Sequence, residues 1–400
     1  MEIAIIIERA DVGLGGAERS VFELATAISK LGPKVDILVA TGRANAENVH
    51  ILCRDIPSKR ASYSTFERSL KQHLSENHYD IIHSVLPFSF ADIYQPRGGT
   101  YAESIVRNAA SYQNKLIESY KKLTAFANFR RTILLRAERS LCRQPDGPII
   151  IAISQYVAEQ FKRHYAIADD RIVLIPNGIK IQTMIDTDKT NRLRSQILDQ
   201  LGRQTRDEGR GTRDAPVFFL FVANNFRLKG LTVLIKAIQL AASRGTARPG
   251  FLIVVGNGRE HKYRRLAKKL NIHKKIVFLG SVRHIQDVLS MSDIAVLPTF
   301  YDPCSRYILE ALAAGKPVIT TKFNGATDLF VNNRHGKVID SPEDVLALAE
   351  AITYFTNTDN IQKASRAIIA DNLKEKISIS QVAKQLISVY ESILQRKGQK

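Results

Sequence analysis

Short uninterrupted apolar runs alternate along the chain with stretches in which apolar residues recur every three or four positions, the pattern of strands followed by helices. The first run, IAIII (Ile3 to Ile7), leads into the glycine-rich turn GLGGAER (Gly13 to Arg19). A helical pattern through Val21, Leu24, Ala25 and Ile28 follows and stops at Gly32. VDILVA (Val35 to Ala40), DIIHSV (Asp80 to Val85), PIIIAIS (Pro148 to Ser154) and RIVLIPNGI (Arg171 to Ile179) continue as strands separated by helical lengths. Between Gln182 and Pro216 the pattern lapses, and GRQTRDEGRGTRD (Gly202 to Asp214), almost devoid of apolar residues, reads as a mobile loop. Alternation restarts with VFFLFVAN (Val217 to Asn224), a helix from about Gly230 to Ser243, FLIVVGNG (Phe251 to Gly258), a basic helix, IVFLG (Ile276 to Gly280) and IAVLP (Ile294 to Pro298). A helix, PVIT and an acid-capped helix from Pro342 complete it. Such alternation predicts an α/β chain of two Rossmann-like, doubly wound domains, residues 1–180 and 181–378, facing a central cleft beyond the strand C-termini.

Four hundred residues exceed one ordinary core, and 44% hydrophobic with 24% charged residues is a globular composition. No apolar run reaches the roughly 18 residues of a membrane span. The opening MEIAIIIERADVG enters a strand directly, so no export signal is expected. Cys53, Cys142 and Cys304 are scattered without CxxC spacing, which argues against disulfides and zinc and fits a reducing cytoplasm. Charge adds something the pattern does not: 58 Lys plus Arg against 39 Asp plus Glu give +19, a surface suited to an anionic partner. Nucleic acid, anionic lipid and a phosphorylated substrate all qualify. A basic stripe with interleaved aromatics at a nucleic-acid motif is missing, which disfavours the first.

The densest chemistry lies in FYDPCSRYILEALAAGKPVIT, Phe300 to Thr320. Asp302 and Pro303 read as a turn and helix start, leaving the N–H groups of Cys304, Ser305, Arg306 and Tyr307 facing an anion with the positive end of the helix dipole. Glu310 lies further along the same face, where a carboxylate accepts from the hydroxyls of a ribose, and Asp302 at the mouth reaches sugar hydroxyls. The plain alternative is a capped amphipathic helix. Upstream, VANNFRLKG (Val222 to Gly230) ends a strand and places Arg227 and Lys229 before a helix, where both can face a diphosphate or remain solvated loop charges.

Phe300 to Thr320 resembles the acidic-x7-acidic signature of glycosyltransferase family 4, retaining enzymes of the GT-B fold, with Asp302 where Glu is usual. The resemblance implies a nucleoside diphosphate sugar as donor, with Asp302 on the sugar, Glu310 on the ribose and Lys229 on the phosphates. It also implies Gly15 and Gly16 of the first loop, Gly256 of VVGNGRE and Val282 of GSVRH as donor-site lining, with FNGATDLF (Phe323 to Phe330) near the sugar. In related folds the last helix, about 379–400, crosses back to the first, acceptor-binding domain, and the second domain holds the donor. No nucleophile is placed for a covalent intermediate. Asp186 and Asp188 form DTD, a metal-binding spacing, but they follow PNGI and not a strand at the site. No metal and no cofactor are expected. A nucleotide-sugar epimerase or hydrolase would use the same two domains.

Ser104 to Arg143 carries nine basic residues and two acids, with Ile105, Ala109, Tyr112, Leu116, Tyr120, Leu123 and Phe126 at helical spacing, continued by Ile133, Ala137 and Leu141. One or two basic amphipathic helices result. They either pack on the core or lay Lys121, Lys122, Arg130 and Arg131 on an anionic membrane. ADIYQPRGGTYAES (Ala91 to Ser104), these helices and ERSLC near Glu138 resemble the glucosyltransferases that add the first glucose to the lipopolysaccharide inner core. In those enzymes an Asp stands where this chain has Gly98. The resemblance implies UDP-glucose as donor, a lipopolysaccharide or other lipid-linked acceptor, and a monomer placed peripherally on the cytoplasmic membrane face.

Overall fold

A computed structural model describes residues 1–11, 15–43, 46–53, 61–181, 187–202, 216–282 and 284–398. The segment from 203 to 214 expected as a loop, together with Gly13, Asp186 and Arg283, lies outside the described residues.

Seven strands, β1 (Glu2–Ala10), β2 (Lys34–Gly42), β3 (Val49–Ile51), β4 (Ile81–Ser84), β5 (Ile93–Tyr94), β6 (Ile149–Ala152) and β7 (Ile172–Leu174), form one sheet in the order β3-β2-β1-β4-β5-β6-β7. Six more, β8 (Val217–Val222), β9 (Gly250–Val255), β10 (Ile276–Gly280), β11 (Ile294–Leu297), β12 (Val318–Thr321) and β13 (Gly336–Ile339), form a second in the order β10-β9-β8-β11-β12-β13. Every strand pair is parallel. Both sheets run outward from a central first strand and then reverse, the doubly wound order of Rossmann-like domains. The reason lies in the strands themselves. Ile3 to Ile7 and Val217 to Phe221 are buried at every position, because helices cover both faces and no side of the strand meets water.

By contacts the chain forms two units. One comprises Met1–Ala109, Asn114–Lys180 and a C-terminal segment beginning at Ile377; the other comprises Ala110–Gln113 and the segment from Ile181 to Lys376. The final helix, Ile379–Gly398, places Val382, Leu386, Tyr390 and Ile393 on one face and buries them in the core of the first unit with Ile3, Ile5, Leu24 and Ile28. A backbone exchange fixes its start: Ile179 N–H donates to Ile377 O at 3.0 Å, and Ile379 N–H donates to Ile179 O at 2.9 Å.

The basic stretch differs from expectation. It forms three helices, Tyr101–Ala110, Lys115–Leu123 and Phe129–Arg143. Gln113 takes a left-handed φ of 56° and ends the first, and the side chains of Asn114 and Asn128 cap the other two. None of the helices in the described residues is long and apolar enough to cross a membrane.

Candidate functional site

In the second unit, the loop after β8 and the segment after β11 are held against each other by their backbones. Phe300 N–H donates to Leu228 O at 2.9 Å, and the Thr299 hydroxyl donates to the Leu228 and Tyr301 carbonyls. Gly230, at a φ of 81°, permits this contact, since a Cβ there would lie 2.0 Å from Pro298 O. The result brings Lys229 to Asp302: its ammonium donates to Asp302 Oδ2 at 2.7 Å and to Tyr301 O at 2.8 Å. Both side chains are mostly buried, at 20% and 15% exposure. Gly256, at the end of β9, has a φ of 136° and donates to Gly280 O, with Ala223 O only 1.7 Å from where a Cβ would stand.

The helix Arg306–Ala313 starts behind Ser305, whose hydroxyl accepts from Ile308 N–H. Glu310 therefore sits one turn inside it. Its carboxylate is buried and accepts from Arg306 Nε at 2.9 Å, an i,i+4 pair with both side chains near one-tenth exposed. One expectation needs correction. The Ser305 N–H, expected to face a diphosphate, donates to Asn324 Oδ1 at 3.1 Å. The Tyr307 side chain points into the core and donates its hydroxyl to Leu220 O, and burial pushes its pKa well up. Cys304 is buried.

Asn324, within FNGATDLF but not singled out there, ties this region together. It is fully buried, its amide donates to the Thr320 hydroxyl, and its oxygen accepts from Ser305 and Ala326 N–H. Asp302 N–H donates to Phe323 O and Gly325 N–H to Asp302 O, so FNGATDLF braces the acid from the other side. Buried polar groups so fully partnered hold a loop in one arrangement.

Arg227 does not join the Lys229–Asp302 pair. Its guanidinium hydrogen-bonds the Ser111 hydroxyl and stacks 3.8 Å from the Tyr112 ring centroid. Lys262, also missed from sequence, has its pKa lowered by burial and then by the Arg227 charge. Val282 borders a cavity of about 550 Å³ with Arg192, Gln196, His284 and Asp287. Among the described residues no group of three His, Cys, Asp or Glu could hold a metal, and Asp188 is exposed on the helix Thr187–Gly202.

In the first unit, Gly15 and Gly16 begin the helix Gly16–Ser29, which has no side-chain cap; Glu18 in its first turn pairs with Arg9 at 3.0 Å. Gly98 is exposed, with nothing within 4 Å of an added Cβ. Of the four cations assigned to a membrane, Arg130 is corrected. It binds Glu8 at 2.6 Å and the Ala61 carbonyl, its charge satisfied within the unit. Lys122 pairs with Glu118, Arg131 is half-buried and Lys121 is exposed. The helix Lys115–Leu123 buries nothing: Leu116, Tyr120 and Leu123, on one face, are 82%, 61% and 78% exposed, and Phe129 beyond them 77%.

The family model for glycosyltransferase family 4 matches residues 14–183, and that for glycosyl transferases group 1 matches residues 203–375. Lipopolysaccharide glucosyltransferase WaaG of Escherichia coli K12 is 21% identical over 334 residues, 82% of each chain. The crystal structure of WaaG shares the fold with a TM-score of 0.73 at 18% identity, over 97% of this chain and 99% of that one. Anabaena Alr3699/HepE in complex with UDP-glucose does so with a TM-score of 0.71 at 16% identity, over 98% and 100%. The fold is that of the GT-B glycosyltransferases. With a family 4 segment in its first half and a group 1 segment in its second, the chain belongs to the family-4-type glycosyltransferases and resembles WaaG.

Proposed function

We propose that this glycosyltransferase moves glucose from UDP-glucose, with retention of anomeric configuration, to a lipopolysaccharide core or other lipid-linked glycan. The observation that carries the donor side is the pairing of each acid with a cation at one loop cluster, Lys229 with Asp302 and Arg306 with Glu310. An incoming donor replaces salt-bridge partners with its own charges and hydroxyls. Its phosphates take the Lys229 ammonium, the glucose hydroxyls take Asp302, and the ribose hydroxyls take the buried Glu310. The WaaG likeness and the UDP-glucose complex of the Anabaena neighbour support that choice of donor.

In the transfer step the bond from C1 of glucose to the β-phosphate oxygen breaks, and its electron pair leaves with the phosphate. The acceptor hydroxyl oxygen bonds to C1 on the same face, and its proton passes to the departing phosphate oxygen. Charge builds on that oxygen as the bond lengthens. We assign its stabilisation to Lys229 and the dipole of the helix beginning at Arg306, and propose no resident metal or cofactor. UDP and UDP-glucose should raise the melting temperature without Mg²⁺, whereas GDP and ADP sugars should not, and Glu310→Ala should lose the response. Equal shifts from every nucleotide, or an unchanged shift in Glu310→Ala, would remove this donor assignment.

The acceptor side rests on the exposed face of Lys115–Leu123. An apolar row flanked by Lys121 and Lys122 suits a membrane surface carrying anionic lipid, which supports a lipid-borne acceptor at the cytoplasmic face. Each large apolar side chain that enters the interface contributes about 1.5–3 kcal/mol at full burial. Leu116→Ser with Leu123→Ser is therefore expected to weaken co-sedimentation with phosphatidylglycerol vesicles by at least roughly tenfold. Unchanged vesicle binding would exclude this helix as the contact.

A further inference from the structure

The most basic part of the chain takes no role in the reading above. From His261 to Lys275 there are seven Lys and Arg and no Asp or Glu. The helix His261–Lys269 turns Tyr263 and Ala267 into the core and sets His261, Arg264, Arg265 and Lys268 along a different face, at i, i+3, i+4 and i+7. These four line a cavity of about 420 Å³ with His273 from the following turn and with Ile276 and Phe278 of β10. Ile276 and Phe278 share a face because strand side chains alternate, and β10 is the edge of its sheet. Arg264 is fixed over the Phe278 ring, 4.4 Å from its centroid, and forks onto Glu260 at 2.8–3.0 Å. Glu260 is the one carboxylate at this cluster among the described contacts, and it answers a single cation.

Two features go beyond an ordinary solvated face. First, the i,i+4 pairs Arg264–Lys268 and Arg265–Lys269 are both like-charged, each costing roughly 0.2–0.5 kcal/mol in an isolated helix. The helix dipole favours Lys268 and Lys269 in the last turn but disfavours cations nearer the start. Second, the charges rim a cavity with an apolar floor. We propose that this cavity binds a phosphate group, free as pyrophosphate or carried on a sugar, at a site separate from the donor site. Ile276 opens β10, whereas Val282 and Gly256 lie beyond the C-terminal ends of β10 and β9 in the same parallel sheet. The cavity runs along the flank of the helix and β10, from His261 to Ile276, and shares no lining residue with the cavity at Val282. Arg265 and Lys268 supply free-moving charge, Arg264 a positioned planar donor, and the His261 and His273 rings further hydrogen bonds.

The test is isothermal titration of the full chain with inorganic pyrophosphate, and separately with glucose 6-phosphate, at constant ionic strength. The proteins compared are wild type, R265Q/K268Q, Lys229→Gln and Lys363→Gln, the last an exposed lysine elsewhere on the same unit. Wild type and Lys363→Gln should bind pyrophosphate at two saturable sites. R265Q/K268Q should lose one of them, with affinity at least tenfold weaker, and Lys229→Gln should lose the other. Because the double variant removes like-charge pairs, its melting temperature without ligand should not fall, so misfolding cannot imitate the loss. Failure of Lys229→Gln alone would count against the donor reading and leave this site standing. If R265Q/K268Q titrates as wild type does, the proposal is overturned. It is equally overturned if the substitutions weaken binding only to phosphatidylglycerol vesicles or duplex DNA, since the cluster is then a general electrostatic face.

Discussion

Replacing Lys229 with alanine is expected to lower kcat for sugar transfer by roughly 10²–10³-fold, the loss typical of removing one positioned group from a developing oxyanion. The ammonium is held by Asp302 and by the Tyr301 carbonyl, so it occupies one place in a mostly buried site before any donor arrives. A charge already oriented needs little rearrangement at the moment of reaction. Its effect grows as negative charge collects on the leaving phosphate, which puts the loss in kcat more than in KM. Alanine also leaves Asp302 without its cation, so stability must be followed in parallel. Lys229→Arg keeps the charge but exchanges a compact ammonium for a planar fork, and should recover binding of UDP more fully than turnover. Steady-state kinetics with a donor-hydrolysis or transfer assay decides the matter. Activity within threefold of wild type in Lys229→Ala would remove this residue from the reaction.

The second large effect is on folding. Gly256→Ala is expected to lower the melting temperature by about 10 °C or more, while Gly98→Ala, the same chemical change, leaves it within about 2 °C. At Gly256 the backbone has a φ of 136°, which L side chains rarely adopt, and the added methyl would overlap Ala223 O. Strain of about 1–3 kcal/mol and overpacking of about 1–3 kcal/mol act together there. For a unit of this size each kcal/mol shifts the midpoint by about 2–4 °C. At Gly98 no atom lies within 4 Å of the new carbon. Calorimetry on the two variants separates a glycine required by close backbone approach from one that is not. The glycine after β9 thus has a structural duty whatever it does for the nucleotide.

What could be read from the sequence follows the length of each signal. Ile3 to Ile7, Val217 to Phe221 and Ile294 to Leu297 are long enough to be recognised as strands buried on both faces. Val49–Ile51 and Ile93–Tyr94 were not, because two or three residues cannot establish a period, and Gly336–Ile339 was not, because Gly336 and Lys337 leave it only two apolar residues. The breaks at Gln113 and Asn128 escaped notice since neither is marked by Gly or Pro. Within the site, the Arg306–Glu310 contact was available from i,i+4 spacing alone. The capture of the Ser305 N–H by Asn324 was not, since nineteen residues and a strand separate them. The exposed row at Leu116, Tyr120 and Leu123 was legible as a stripe, but whether it faced the core or the outside depended on packing that no local pattern carries.

The course of the chain through its two units has a consequence for biosynthesis. The second unit is a single stretch from Ile181 to Lys376 apart from the short Ala110–Gln113 segment, whereas the first lacks Val382, Leu386, Tyr390 and Ile393 of its core until the last helix exists. On the ribosome, the portion made first cannot close, and the portion made second is the first that can. The early half must wait with its apolar groove between Leu24, Ile28 and Ile3 open to solvent, the stage at which a growing chain is most prone to aggregate or to recruit a chaperone.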